Sequence, residues 1–175
     1  PPLQIYAELT LDVSFTIAVR PGTAASDVQT VAAFPVAAAQ VKSWLAEHLP
    51  RAQVVPANSN AASAQDVAAG RADAAVSTAL ATQRYGLDTL AAGIVDEPSA
   101  RTRFVLVGPP GAPPKSTGAD RTSVVLRLDN VPGALVAAMT ELAIRDIDLT
   151  RIESRPTRTE LGTYVFFLDF VGHID

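Results

Sequence analysis

Apolar and polar positions change their period repeatedly along this chain. Residues 3–19 hold two runs with the period of two expected of strands. In the second, Leu11-Asp12-Val13-Ser14-Phe15-Thr16-Ile17-Ala18-Val19, apolar residues alternate with polar or small ones, which predicts a half-buried strand ended by Pro21-Gly22. Ser26 or Asp27 caps a short helical turn, and Thr30 to Phe34 reads as a strand. The period then lengthens. Ala37, Val41, Trp44 and Leu45 fall on one face of a helix expected from Val36 to His48, with Pro35 in its first turn, Trp44 as a core anchor and His48 complementing the helix dipole. Further elements follow: a strand at Ala52–Ala57, a helix at Ala61–Ala69 closed by Gly70, a buried strand at Arg71–Val76, a helix at Ala79–Tyr85 and a strand at Leu90–Val95. This alternation implies a largely parallel sheet flanked by helices.

Periodicity stops at Gly108-Pro109-Pro110-Gly111-Ala112-Pro113-Pro114, a linker by composition. It resumes as strand (Thr122–Leu128), turn (Asn130-Val131-Pro132-Gly133), amphipathic helix (Ala134–Arg145), strand (Ile147–Arg155), a hairpin-like connection (156–162) and strand (Thr163–Val171). Three segments result: 1–107, a linker at 108–119, and a β-α-β-β module at 120–175.

Composition narrows the chemistry. At 48% hydrophobic and 18% charged, the 175 residues belong to a globular protein with a sizeable core. A net charge of −4 argues against nucleic-acid binding. Without cysteine, thiolate catalysis, disulfides and Cys-ligated metals are excluded, and with only His48 and His173 a His-based metal site or triad is not expected; nor is a cofactor. No apolar run reaches the roughly 18–20 residues of a membrane helix, so no membrane partner is expected and the cytoplasm is the default location. The chain opens and closes inside strand-like patterns, which reads as a fragment.

Candidate chemistry centres on Thr102-Arg103-Phe104, where a hydroxyl and a guanidinium precede an apolar β-type run. That pairing suits an anionic small molecule. In sheets of this class ligands bind beyond the carboxyl ends of strands, near helix N-termini. Ser59-Asn60, Ser77-Thr78 and, by position, Thr102 lie at such joins and are candidate substrate contacts; plain N-capping is the alternative reading of each.

Motifs in the second module point to a known family. Gly133-Ala134-Leu135-Val136 and Glu153-Ser154-Arg155-Pro156 are similar to the paired motifs of the ACT domain in prephenate dehydratases, and Thr102-Arg103-Phe104 is similar to that family's catalytic triplet. Phe34-Pro35-Val36-Ala37-Ala38-Ala39-Gln40 resembles a further family segment, with Phe34 and Val36 where polar residues are usual. Ser99 stands where an Asn is frequent, so no amide role is carried over.

The resemblance implies an α/β fold: one lobe of a type-II periplasmic-binding-protein-like dehydratase domain, then a partial ACT domain of ferredoxin-like βαββαβ type. The first lobe and the end of the ACT domain are missing, so the chain holds about 55–60% of a two-domain member. It further implies conversion of prephenate to phenylpyruvate, with Thr102 giving or relaying the proton to the leaving hydroxide, Arg103 holding a carboxylate and Phe104 an apolar wall. L-Phenylalanine would be the allosteric effector, bound between paired ACT domains by Asn130, Gly133, Ala134 and Leu135, with Glu153, Ser154 and Arg155 positioning that turn. The protein would be a homo-oligomer, dimer or tetramer. A non-catalytic amino-acid sensor, or an inactive fragment of the enzyme, remains open at this point.

Overall fold

The computed structural model describes residues 2–157 and 163–175. The chain separates into two compact units, Leu9–Phe104 and a second made of Pro1–Glu8 with Val105–Asp175.

The Leu9–Phe104 unit is built on a five-stranded sheet. Its strands are β2 (Phe15–Val19), β3 (Thr30–Ala33), β4 (Gln53–Pro56), β5 (Ala74–Ser77) and β6 (Asp88–Ile94), in the order β4-β3-β5-β2-β6. Alternation sorts side chains onto two faces. Ile17, Val19, Val31, Ala33, Ala74 and Val76 meet Ala37 of helix α1 (Pro35–Gln40), Leu45 of helix α2 (Lys42–His48) and Val41 between the two. Ala18, Ala32 and Ala75 face α3 (Asn60–Ala68) and α4 (Ala79–Arg84), packing with Ala64, Val67 and Ala81.

Several expectations change here. The alternating run breaks at Val13-Ser14: β1 (Gln4–Asp12) ends before it, and β2 is buried along its whole length rather than on one face. Helices cover both faces of β2, and the small residues that read as an outward face pack against α3 and α4. The sheet is mixed rather than largely parallel. β3 runs parallel to β4 and β5, but β2 runs antiparallel to β5 and β6. β2 enters from the end where β3, β4 and β5 finish, so it must run the opposite way.

The single helix expected at 36–48 is two. Val41 leaves helical geometry at φ −129°, and the Asp96 carboxylate accepts from Ser43 N (2.8 Å) and Trp44 N (3.2 Å), capping α2 from outside. Those bonds hold Asp96 below its usual pKa, Ser43 N–H contributing most. Trp44 is only partly buried at the core's edge. It stacks on His48, with ring centroids 4.3 Å apart, while His48 Nδ1 lies 3.0 Å from the Trp44 carbonyl.

β1 pairs with β7 (Arg101–Gly108) in a separate two-stranded ribbon, and each strand contributes to both units. Ile5, Leu9 and Leu11 of the first strand and Phe104, Leu106 and Val107 of the second are exposed.

In the second unit, β8 (Arg121–Arg127), β10 (Tyr164–Val171) and β9 (Leu149–Pro156) form an antiparallel sheet in the order β8-β10-β9, with α5 (Ala134–Ala143) between β8 and β9 in the chain. Leu168 is paired with Val124 and Ile152 and is buried. α5 stops two residues short of the expected Arg145, where Asp146 turns the chain at φ 53°, a left-handed geometry Asp tolerates. The Asp120 carboxylate gathers the Thr117 and Ser116 hydroxyls and the Thr117 and Gly118 N–H groups, which lower its pKa to about 2. Most of the connection expected at 156–162 lies outside the described residues.

Candidate functional site

The first candidate site lies at the sheet end where β3, β4 and β5 terminate. β5 ends at Ser77, paired across the sheet with Thr16 near the start of β2. Thr78 caps α4, its hydroxyl oxygen accepting from Ala81 N at 3.2 Å. Ser59 caps α3 in the same manner, accepting from Ala62 N at 3.0 Å. Both hydroxyls sit on exposed residues, and capping uses only the oxygen, so each proton remains available to an external acceptor.

Ser77 is different. It is fully buried and its hydroxyl donates to the Asn60 carbonyl at 2.6 Å, stitching the end of β5 to the start of α3. This geometry does not present Ser77 as the substrate contact expected there: the side chain does not reach the surface, and its proton is already used. Asn60 Oδ1 is buried with no hydrogen-bond partner among the described residues.

Thr102 is not at a strand-to-helix join. It sits within β7, one residue past Arg101, which pairs with Asp12 at 2.9 Å. The chain enters β7 at Ala100, whose carbonyl accepts from Val13 N at 2.9 Å; Val13 leads directly into β2 and its Thr16–Ser77 pairing. Thr102 therefore follows on from the hydroxyl-bearing end of the sheet. Strand alternation places Thr102 and Phe104 on one face of β7 and Arg103 on the other. The triplet acts as a pair and a single residue, not as three groups converging from one side. Phe104 is 52% exposed, so it is no core residue of this unit.

The second candidate site is a cavity of about 130 Å³ in the antiparallel module, lined by Asp129, Asn130, Ala134, Leu135, Tyr164 and Phe166 among others. Three of the four residues expected around the turn line it. The fourth, Gly133, is the N-cap of α5 at φ 83°, a left-handed conformation that glycine adopts without strain. No side chain caps α5, and Ala134 N already donates to the Val131 carbonyl at 3.2 Å, so the Leu135 and Val136 N–H groups are the ones left to meet an acceptor, while Asp129 beside them supplies the opposite charge. An uncapped helix start beside a carboxylate is complementary to the carboxylate and ammonium of an amino acid, and Tyr164 and Phe166 offer an apolar wall. Asp129, Tyr164 and Phe166 were missed from the sequence. Asp129 adjoins the motif and was within reach; the aromatics lie on β10, brought near by strand pairing alone.

The Glu153-Ser154-Arg155 motif is divided by β9. Ser154 pairs with Phe166, on the cavity side of the sheet. Glu153 pairs with Phe167 on the opposite face, and Arg155 lies over the Phe167 ring at 5.5 Å. Glu153 bonds Arg155 at 2.6 Å and also meets Arg151; the Arg155 bond does most to hold its carboxyl below the usual pKa. None of the three lines the cavity. No cluster of three or more metal-ligating side chains occurs among the described residues, and none of their helices is long and apolar enough to cross a membrane.

Comparison with known proteins supports one family. Residues 122–175 match the ACT domain model. A Mycolicibacterium vanbaalenii prephenate dehydratase is 86% identical over 173 residues, covering 99% of this chain and 55% of its own length. The structure of an Arthrobacter aurescens prephenate dehydratase in complex with L-Phe superposes with a TM-score of 0.90 at 42% identity, covering 98% of this chain and 57% of that one. GqqA, described as a novel type of quorum quenching acylase, superposes at 0.83 with 30% identity, over 98% of this chain and 62% of its own. The chain thus spans about half the length of the curated relatives it matches. With residues 1–112, which include the whole Leu9–Phe104 unit and both ribbon strands, matching the prephenate dehydratase model, the chain belongs to the prephenate dehydratase family.

Proposed function

We propose that this chain carries part of the active site and the effector module of an enzyme that converts prephenate to phenylpyruvate. Residues 1–107 serve the reaction, 108–119 link, and 120–175 regulate. In this reaction the ring C–O bond breaks as the oxygen takes a proton and leaves as water. The bond to the ring carboxylate breaks to release carbon dioxide, and its electron pair completes the aromatic ring. The protein needs only to supply a proton at the leaving oxygen and to hold a dianion.

Thr102 gives or relays that proton. A hydroxyl is a weak acid, so it works within a polarising network. Phe104, on the same face of β7, packs against the ring. Arg103, on the opposite face, holds fixed positive charge close by and meets a carboxylate from that side. Ser59 and Thr78 have protons free to donate to a carboxylate, the Asn60 amide takes a polar group of the substrate, and Ser77 fixes that amide. The observation that carries the reading is the Thr102–Phe104 pair at the start of β7, leading from the capped helix starts, in a chain of this family.

In the second module, L-phenylalanine binds at the Asn130–Leu135 turn, its carboxylate on the α5 N-terminus and its ammonium toward Asp129. A cavity of about 130 Å³ is well below the roughly 300–1,000 Å³ of sites that enclose drug-sized ligands, so a second copy supplies the other wall and the protein works as a cytoplasmic homo-oligomer. The effector acts by binding two states of the enzyme unequally. The test is phenylpyruvate formation from prephenate by the complete protein bearing this chain, with and without L-phenylalanine. Turnover that phenylalanine suppresses is expected; no turnover in the folded, complete protein overturns the reading.

A further inference from the structure

The polar face of β1 is spent on the regulatory side of the chain. Gln4, Tyr6 and Glu8 alternate onto one face of the strand, and each finds a partner there. Gln4 Oε1 accepts from Gly111 N at 2.9 Å, the Tyr6 hydroxyl donates to the Pro109 carbonyl at 2.6 Å, and Glu8 pairs with Arg121 of β8 at 3.6 Å. The contact around Tyr6 is close. A methyl on Gly108 would lie 3.1 Å from the Tyr6 ring, and one on Gly111 would lie 2.9 Å from its hydroxyl oxygen. A methyl at either glycine would push the ring back from the backbone. Farther along, His173 approaches the Pro114 carbonyl at 2.8 Å and Asp120 gathers residues 116–118, so the Pro/Gly segment is laced down rather than free.

The same strand ends elsewhere. β1 continues unbroken to Asp12, which holds Arg101, the neighbour of Thr102, at 2.9 Å. One strand of nine residues thus carries both the clasp on the linker and the bond to the neighbour of the proposed proton donor. A paired strand transmits displacement along its axis better than a Pro/Gly linker can.

We propose that Tyr6 is the joint through which effector binding in the second module acts on Thr102: its ring and hydroxyl clasp residues 108–111 to β1, and β1 passes the change to Arg101 and Thr102. This rests on the function proposed above. Tyr6 touches no substrate group and acts only through the strand.

The experiment uses the complete protein with Tyr6→Ala, Tyr6→Phe and Gly108→Ala. Tyr6→Phe removes the hydroxyl bond and keeps the ring; Gly108→Ala forces the ring away and keeps Tyr6, so a Tyr6→Ala variant that fails to fold does not end the test. Phenylalanine binding is measured by calorimetry, turnover with and without phenylalanine, and amide hydrogen exchange at residues 101–102. In the wild type, phenylalanine changes exchange at residues 101–102. In Gly108→Ala and Tyr6→Ala, basal turnover stays within about twofold and phenylalanine still binds. Its effect on turnover, however, weakens by about fivefold or more, the lower end of typical couplings, and the exchange change disappears. Tyr6→Phe falls between. Undiminished inhibition and an unchanged exchange response in these variants overturn the joint. Wild type that binds phenylalanine but lacks turnover overturns the catalytic reading alone, since exchange still decides the joint; wild type that turns over prephenate but does not bind phenylalanine overturns the effector reading and the joint with it.

Discussion

Replacing Ser77 by Ala removes one hydroxyl from a fully buried position, and the consequence follows from a single bond. The hydroxyl donates to the Asn60 carbonyl at 2.6 Å, tying the last residue of β5 to the first residue of α3. Asn60 C=O keeps its helical partner, so the loss is one buried bond rather than a wholly unsatisfied group, about 1–2 kcal/mol. Trp44, the only tryptophan, lies within the Leu9–Phe104 unit, so its fluorescence follows that unit through unfolding. In a unit this size roughly 4–8 °C is lost per kcal/mol, and the Ser77→Ala midpoint should fall by several degrees. Ser59→Ala, which removes the cap of the same helix, should cost about 1 kcal/mol. Both act on one helical turn, so the double variant should lose less than the sum of the singles. A Ser77→Ala loss under about 0.3 kcal/mol, or strict additivity with Ser59→Ala, refutes the view that the two joins are held as one structure.

Two further outcomes follow from the same kind of argument. The Thr30 hydroxyl, with the Gln29 and Thr30 N–H groups and the Arg20 charge, holds the Asp73 pKa below its ordinary value of 3.8, outweighing the opposing effect of burial. A carboxyl with a depressed folded pKa stabilises fully above its unfolded pKa and loses that contribution as pH falls through the folded value. The stability gap between wild type and Asp73→Asn should be constant near neutrality and close below about pH 4 in denaturant titrations; a gap that widens in acid contradicts the sign. At Gly133 an added methyl meets no atom within 4 Å, but φ is 83°. Gly133→Ala should therefore cost about 1–2 kcal/mol of backbone strain and weaken phenylalanine binding measured by calorimetry, while leaving turnover without effector unchanged.

Local signals made much of this fold legible. Ser59 and Thr78 cap helices, Gly70 and Gly86 take positive φ beyond α3 and α4, and the β-α-β-β order of the second module follows its periodicity. What was not legible depends on distant partners. Asp96 splits a helix that residues 36–48 alone present as one, and β2 is buried on both faces because helices encoded forty or more residues later cover its small side chains. The site divides in the same way. Asn130, Ala134 and Leu135 stand in the motif and line the cavity, whereas Tyr164 and Phe166 arrive there by strand pairing. Thr102 was singled out by its sequence neighbours, but the run Arg101–Gly108 is one continuous strand, and only its alternation separates Thr102 from Arg103.

The central claim is that Thr102 supplies the proton for prephenate breakdown, and it is tested most directly by phenylpyruvate formation in the complete protein with Thr102→Ala and Thr102→Ser. Thr102→Ala should lower kcat by roughly 100-fold or more with KM changed little, the usual scale of a general acid, and Thr102→Ser should recover a substantial part of the rate. Turnover that survives Thr102→Ala intact would contradict it.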